Sequence, residues 1–231
     1  IVHAAKHYAQ YGVAVDLRRL PELTEDTQIR TIEQLLEDGL DGLALTAIDT
    51  PRMTAYINRL SEQLPVVTYN TDFTASQRIC FVAQEHLSAG RTAGNLLCKS
   101  LRKPGAIVPL ISYASILAHT QRVDGLRSVL GNCPVPVTLE PALETAESDE
   151  QAFRVVAGLL QKRTDIACIY VAGGGQVGAA DALCASGRGA DIMMICYDLL
   201  PGTIRHLKSG VVDYTIGQQP FLQGYLPVSI L

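Results

Sequence analysis

Residues 166–198 read IACIYVAGGGQVGAADALCASGRGADIMMICYD, and this stretch has the pattern of one β-α-β unit. An apolar run over 166–172 meets three consecutive glycines, and a helix-like segment follows to Leu183. A second apolar run over 192–197 ends at Asp198. Strands and helices that alternate in this way form parallel sheets, whose ligands bind beyond the carboxyl ends of the strands. The stretch therefore predicts an α/β fold with a polar binding site near the glycines and Asp198.

The same residues allow a dinucleotide-binding interpretation. Gly173, Gly175 and Gly178 satisfy the fingerprint G-x-G-x-x-G, and Asp198 stands where a ribose-binding carboxylate is expected. In an ordinary Rossmann domain, however, this fingerprint follows the first strand, whereas here several strand-like segments precede it. An NAD-binding enzyme is therefore kept as an alternative. Consecutive backbone N–H groups at a helix start would also suit an anionic group on the ligand.

The same alternation extends along the whole chain. Thr24, the Thr50–Pro51 pair and Ser148 with Gln151 are predicted helix starts, because these residue types cap or open helices. The apolar runs predicted as strands cover residues 13–17, 43–47, 65–70, 79–83, 106–111, 135–140, 166–172, 192–197 and 211–216.

Turn residues at 102–105 (RKPG) separate two similar halves of this pattern. We therefore predict two doubly wound parallel-sheet lobes with a ligand cleft between them. The first lobe comprises residues 1–102 with 217–231, and the second comprises residues 103–216. Both ends of the chain look cut, because it starts within a helix-like segment and stops within apolar sequence.

Composition excludes several classes of protein. The net charge is −4, 18% of residues are charged, and no basic run occurs, which argues against nucleic-acid binding by these residues. No apolar stretch reaches the roughly 18 residues of a membrane span. The six cysteines and five histidines lack metal-ligand spacing, and no G-x-S-x-G or P-loop motif is present. We predict a protein that is not an enzyme, with no cofactor and no metal site.

Cysteine usage bears on the compartment. The six cysteines are scattered, mostly in apolar runs, and are interpreted as reduced, buried thiols. This interpretation predicts a cytoplasmic protein.

Five segments together resemble the type 1 periplasmic-binding-protein superfamily, which includes ribose-binding proteins and the effector-binding cores of lactose-repressor-family transcription regulators. They match in the order and spacing of the superfamily. The segments are PVVTYNTD (65–72), FVAQEHLSAGRTAGNLL (81–97), HTQRVDGLRSVL (119–130), ICYDLLPGTIRHLKSG (195–210) and YTIGQQP (214–220).

The resemblance implies a sugar-like ligand held between two lobes. Ligand contacts are implied at five matching positions: Asn70, Gln84, Arg122, Asp198 and Gln218. The rule that ligands bind at strand ends adds two candidates, Tyr113, whose ring could stack on a sugar, and Gly173. The glycines also mark a departure, since many members place Asn or Asp there.

Several of these residues have structural alternatives. Asp198 could cap the helix that starts at Pro201, Arg122 could pair with Asp124, and Asn70 could simply form a turn. Gln84 and Gln218 could satisfy backbone groups. These alternatives stay open at the level of the sequence.

The choice between regulator and transporter rests on composition. Six cysteines are unusual in a transport protein outside the cytoplasm, and the nineteen basic residues comprise fourteen Arg and only five Lys. We therefore predict the effector-binding core of a lactose-repressor-family regulator, a homodimer that reaches DNA only through a headpiece outside this chain. Its effector is expected to be a sugar or sugar derivative, with an anionic one as an alternative. A periplasmic sugar-binding protein of a transporter is the alternative function.

Overall fold

A computed structural model describes residues 1–20, 22, 24–46, 48–73 and 75–231. They form two compact units. Unit 1 comprises residues 1–84, 115–117 and 219–231, and unit 2 comprises residues 85–114 and 118–218. The predicted lobe boundaries at 102/103 and 216/217 stay a prediction.

Unit 1 has a three-stranded parallel sheet with the strand order β1-β2-β3. Met53, Ile57, Val66 and Phe73 are completely buried in its core. The strands are β1 (Leu43–Leu45), β2 (Val66–Tyr69) and β3 (Cys80–Val82), and the helices are α1 (Val2–Tyr8), α2 (Glu25–Glu37), α3 (Pro51–Ser61) and α9 (Pro220–Ile230).

Helices α2 and α3 start where the sequence predicts. The Thr24 hydroxyl accepts the Thr27 N–H at 3.2 Å, and the Thr50 hydroxyl accepts the Met53 N–H at 3.3 Å. Each cap satisfies an N–H group that has no partner within its own helix.

The predicted strand over 13–17 is wrong. Residues 13–20 have no regular secondary structure and line a cavity of about 870 Å³ beside β1. A strand persists only when a neighbouring strand pairs with its N–H and C=O groups, and β1 pairs only with β2 among the described strands. Of the strand predicted over 43–47, Ala47 lies outside the described residues.

Unit 2 has a six-stranded sheet in which every pairing is parallel, as predicted. The order is β5-β4-β7-β8-β9, and β6 pairs with the carboxyl end of β4. The strands are β4 (Gly105–Ile111), β5 (Val137–Leu139), β6 (Leu143–Glu144), β7 (Ile166–Val171), β8 (Met193–Tyr197) and β9 (Tyr214–Ile216). The helices are α4 (His86–Ser100), α5 (Leu117–Arg127), α6 (Asp149–Lys162), α7 (Gln176–Ala185) and α8 (Pro201–Lys208).

Both faces of this sheet are covered by helices. Along β7, Cys168 and Tyr170 pack into one hydrophobic cluster with α4 and α5, while Ile169 and Val171 pack into a second with α6 and α7. Alternate residues of a strand point to opposite faces, so a strand buried on both faces is apolar throughout. This explains why 166–172 reads as an uninterrupted apolar run.

Helices α4 and α5 touch through their backbones. A Cβ atom on Gly90 would overlap the carbonyl oxygen of Arg122, and one on Gly125 would overlap the carbonyl oxygen of Leu87. We expect Gly90→Ala to lower the free energy of unfolding by about 1–3 kcal/mol, the usual cost of overpacking, as measured by urea denaturation.

Gly158 provides the matched control for this substitution. It is also helical, in α6, but a Cβ atom there would meet nothing within 4 Å. Gly158→Ala is expected to stabilise the protein by roughly 0.5–1 kcal/mol, because it restricts the unfolded chain without creating a clash. Equal effects at both positions would contradict the close crossing of α4 and α5.

Candidate functional site

Asp198 lies directly after β8, at the carboxyl end of the unit 2 sheet. Its backbone is in the left-handed region with a φ of 69°, which Asp tolerates better than most residues. Its N–H donates to the Ile216 carbonyl at 3.1 Å, and its carbonyl accepts the Thr215 hydroxyl at 2.9 Å. The side chain is therefore held at the strand end. The alternative that Asp198 caps α8 is wrong, because the cap position is Leu200 and no side chain bonds there.

Arg122, Gln218 and Asp198, which are far apart in the sequence, form one hydrogen-bonded network. Gln218 Nε2 donates to Asp198 Oδ2 at 2.8 Å, and Gln218 Oε1 accepts from Arg122 Nη2. Arg122 Nη1 donates to the Ala172 carbonyl at 2.8 Å, and the guanidinium lies 4.0 Å above the Tyr197 ring. The structure thus brings together three of the predicted site residues.

The alternative in which Arg122 pairs with Asp124 is wrong. Asp124 is exposed and pairs instead with Arg127 on the same helix. Arg122 is only 3% exposed, so it belongs to the interior of unit 2.

Arg122 determines the positive charge of this network. Burial lowers the pKa of Arg122, while Tyr197, Tyr170 and the carboxylates of Asp198 and Glu147 act in the opposite direction. An arginine nevertheless keeps its proton, so the network holds a fixed positive charge.

His119 lies beside the same strand ends in an uncharged form. Burial, helped by the positive charge of Arg122, lowers its pKa to about 3. Its Nδ1 accepts the Ser112 N–H at 3.4 Å. His119 therefore acts as a hydrogen-bond acceptor and adds no charge at neutral pH.

Packing explains the glycines of the dinucleotide-like fingerprint. A Cβ atom on Gly173 would lie 2.5 Å from the Ser112 nitrogen. Gly175 has a φ of 89°, and a Cβ atom there would lie 2.6 Å from a side chain of α6. A Cβ atom on Gly178 would overlap the Asp149 carbonyl oxygen. All three positions require glycine, because a neighbouring atom lies too close for a Cβ atom and because Gly175 is also left-handed, without reference to a nucleotide.

One N–H group of the glycine turn and one of the first turn of α7 already have acceptors within the protein. The Gly174 N–H donates to the Ser112 hydroxyl at 2.8 Å, and the Gly178 N–H donates to the Asp149 carboxylate at 3.0 Å. The start of α7 is therefore served by a protein carboxylate, which competes with the anion that the glycines suggest.

Unit 1 supplies two of the predicted residues. Asn70 follows β2 with a φ of 65°, is exposed, and extends the sheet by donating its N–H to the Val82 carbonyl at 3.0 Å. Gln84 follows β3 and is half-buried. Asp72, also near a strand end, is engaged internally, because Thr68 donates to it at 2.8 Å and Arg78 pairs with it.

Tyr113, the remaining predicted residue, belongs to unit 2. It follows β4 and its side chain is exposed. The described residues contain no group of His, Cys, Asp and Glu that could hold a metal ion. None of the helices in the described part of the chain is long and apolar enough to cross a membrane.

Residues 2–231 match the model of the periplasmic binding protein domain. The chain belongs to this family. It is similar to the xylose/arabinose-binding protein XylF of Sulfolobus acidocaldarius, with 27% identity over 87% of this chain and 53% of the relative. It is also similar to the ribose import binding protein RbsB of Bacillus subtilis, with 25% identity over 86% of this chain and 64% of the relative.

Solved structures show the same fold. A solute-binding protein of an ABC transporter from Burkholderia graminis, in complex with D-arabinose, superposes with a TM-score of 0.90 at 21% identity, over 98% of this chain and 80% of that one. This member of the periplasmic binding protein family spans only about half to two thirds of the length of the curated relatives named above.

These relatives correct the predicted function. The α/β fold of the superfamily is confirmed, but the choice of a lactose-repressor-family transcription regulator is wrong, because the relatives are named as sugar-binding and import proteins. The DNA partner and the homodimer were expected because a transcription regulator was predicted, and these relatives support neither. The same relatives are named as binding proteins and not as enzymes, in agreement with the prediction.

The predicted cytoplasmic location is also wrong. The family is described as periplasmic, and a ribose import protein is among the relatives. Cys98 and Cys133 form a disulfide, which contradicts the interpretation of all six cysteines as reduced thiols. Disulfides persist in oxidising compartments and are rare in the cytosol.

Proposed function

We propose that this chain is the ligand-binding part of a sugar-binding protein that serves a membrane importer. The observation that supports this most directly is the Arg122–Gln218–Asp198 network at the carboxyl ends of β8 and β9. The relatives also support the proposal. Nearly the whole chain matches the periplasmic binding protein family, and the similar proteins are named as sugar-binding proteins.

The network suits a polyhydroxylated ligand. Asp198 is half-buried, and one of its oxygens accepts the Gln218 amide. A carboxylate has about four lone-pair sites, so it can also accept hydrogens from two sugar hydroxyls. Such charge-assisted hydrogen bonds are roughly twice as strong as neutral ones.

In this proposal the main role of Arg122 is to position Gln218 and not to contact the sugar. Because it is buried and bonded to Gln218 and to the Ala172 carbonyl, it holds the glutamine in one orientation and balances the Asp198 charge. Asn70, Gln84, Tyr113 and Gly173 remain proposed ligand contacts at the other strand ends.

Isothermal titration calorimetry with D-ribose, D-xylose, L-arabinose, D-galactose and D-glucose tests the function. At least one of these sugars is expected to bind with a dissociation constant of about 10 μM or tighter, roughly −7 kcal/mol. NAD serves as the control ligand for the dinucleotide interpretation and is expected to give no binding heat. If a folded protein binds none of the sugars at millimolar concentration, the proposal is wrong.

A further inference from the structure

Helix α8 packs against one face of α7 in unit 2. Val177, Asp181 and Cys184 share this face of α7, because they are spaced i, i+4 and i+7. A Cβ atom on Gly202 of α8 would lie only 2.6 Å from the side chain of Val177. One turn further along α8, His206 contacts both Asp181 and Cys184. The packing of the two helices thus places an imidazole between a carboxylate and a thiol.

His206 uses its two ring nitrogens for the two partners. Its Nε2 lies 2.8 Å from Asp181 Oδ1, and its Nδ1 lies 3.9 Å from Cys184 Sγ. A carboxylate oxygen only accepts hydrogen bonds, so the proton of the neutral imidazole belongs on Nε2. Nδ1 is then left as an acceptor for the thiol proton of Cys184. A nucleophile beside a base that a third group orients is the general arrangement of an activated nucleophile.

The fold holds His206 in this position. His206 is 5% exposed, and its carbonyl accepts the N–H groups of Val211 and Val212 at 3.0 and 3.2 Å. When His206 takes up a proton, its positive charge faces Asp181 and lies in the last turn of α8, where the helix dipole favours a cation. Arg205 is a charged neighbour, with Nη2 3.7 Å from Asp181 Oδ1 and 3.4 Å from His206 Nε2. The Asp181 carboxylate therefore lies against both cations.

Cys184 is the free cysteine most open to reagents in solution. It is exposed, whereas Cys168 and Cys196 are buried and Cys80 is half-buried. Burial raises the pKa of Cys168 well above its usual range and the pKa of Cys196 to about 11. The disulfide between α4 and the segment before β5 is typical of an oxidising compartment. An exposed thiol in such a compartment meets small disulfides, with which thiols exchange.

We propose that Cys184, His206 and Asp181 form a thiol-modification site, at which Cys184 exchanges with a small disulfide such as oxidised glutathione. His206 Nδ1 takes the thiol proton, and the Cys184 sulfur attacks one sulfur of the reagent. The new S–S bond joins Cys184 to half of the reagent, the old S–S bond breaks, and the departing thiolate takes the proton from His206. One disulfide replaces another, so no further oxidant is needed. Asp181 is a positioning residue, because it acts through the imidazole.

This site goes beyond the proposed sugar-binding function and does not depend on it. None of its three residues belongs to the network of Arg122, Gln218 and Asp198. Cys184 lies in the last turn of α7, whereas the glycine turn beside that network precedes the first turn of the same helix. Thiol exchange and sugar binding can therefore be measured separately.

Reaction of the folded protein with oxidised glutathione tests the site, followed by intact-mass spectrometry and peptide mapping. A synthetic peptide of residues 179–189 is the reference, because it carries the same thiol without His206. At neutral pH we expect Cys184 of the protein to react about tenfold faster than the peptide, since a base that takes the thiol proton supplies the reactive thiolate. Dithiothreitol should remove the adduct. If Cys184 reacts no faster than the peptide, or if only Cys80 is modified, the inference is wrong.

His206→Gln removes the base and should slow Cys184 to within about twofold of the peptide. Because His206 is buried, circular dichroism checks the fold, and Asp181→Asn provides a second variant at a residue whose side chain is 47% exposed. Asp181→Asn should slow the reaction about threefold, since the imidazole loses the carboxylate that orients it. Asp191→Asn is the matched control at an exposed carboxylate before β8 and should leave the rate unchanged. Parent-like rates in both folded site variants would overturn the inference.

The pH dependence of the rate separates positioning by Asp181 from a merely structural role. From about pH 8.5 to about pH 6.5 an ordinary thiol, with a pKa of about 8.5, loses roughly fiftyfold of its thiolate. The peptide should slow by this factor, whereas Cys184 of the parent protein should slow by less than about tenfold, because His206 takes its proton. Asp181→Asn should give an intermediate profile. A parent profile parallel to that of the peptide, or one that Asp181→Asn leaves unchanged, would contradict the proposed site.

Discussion

Asp198→Asn is expected to weaken sugar binding about a hundredfold, or roughly 2.8 kcal/mol, without unfolding the protein. The substitution removes the charge that makes the hydrogen bonds to sugar hydroxyls strong, and such bonds contribute about 1.5–3 kcal/mol each. Asparagine keeps the size of the side chain and tolerates the φ of 69°, which alanine would not. Its amide oxygen can still accept from Gln218, so the effect isolates the charge.

Asp191→Asn is the control for this measurement. Asp191 is exposed and lies at the opposite, amino end of β8, so the same change there should leave the affinity unaltered. Calorimetry with the tightest-binding sugar measures both variants, and circular dichroism checks their fold. An Asp198→Asn affinity within threefold of the parent value would exclude Asp198 from the binding site.

The double variant Cys98→Ser, Cys133→Ser is expected to lower the free energy of unfolding by roughly 3–4 kcal/mol and Tm by roughly 10 °C. The disulfide joins α4 to the segment before β5, across 35 residues of chain, and it restricts the unfolded state accordingly. Thermal and urea denaturation with and without dithiothreitol measure the effect. Reduced parent protein should match the double variant.

Cys184→Ser controls for the loss of a thiol as such, because Cys184 is free and exposed. It should keep the stability of the parent protein and its sensitivity to dithiothreitol. Titration of the unfolded, unreduced protein should detect four thiols, from Cys80, Cys168, Cys184 and Cys196. Detection of six thiols, or a parent Tm that ignores the reductant, would show that the disulfide does not form.

Local features of the sequence predicted much of the fold. The hydroxyls of Thr24, Thr50 and Ser148 cap α2, α3 and α6 as expected, because capping depends on residues only three positions apart. The β7-α7-β8 unit also followed from its apolar runs. The strand predicted over 13–17 failed for the opposite reason: a strand needs a partner that is remote in sequence.

The regulator, the cytoplasmic location and the reduced state of all six cysteines were predicted from composition. The first two predictions were wrong, and the third was wrong for Cys98 and Cys133, while the other four cysteines are free. The number of cysteines and the ratio of Arg to Lys do not show which residues lie close together in the folded protein. Cys98 and Cys133 are separated by 35 residues, with no characteristic spacing, yet their Cα atoms lie 4.5 Å apart. No pattern within either segment could have shown that approach.

The sequence by itself determined the α/β class, the helix starts, the parallel strands and the nomination of Asp198, since these depend on periodicity and on nearest neighbours along the chain. Only the tertiary structure decided that Gln218 bonds both Arg122 and Asp198 and that packing requires the fingerprint glycines. Those relations join residues of elements that are remote from one another in the sequence, and folding alone brings them within hydrogen-bonding or van der Waals distance.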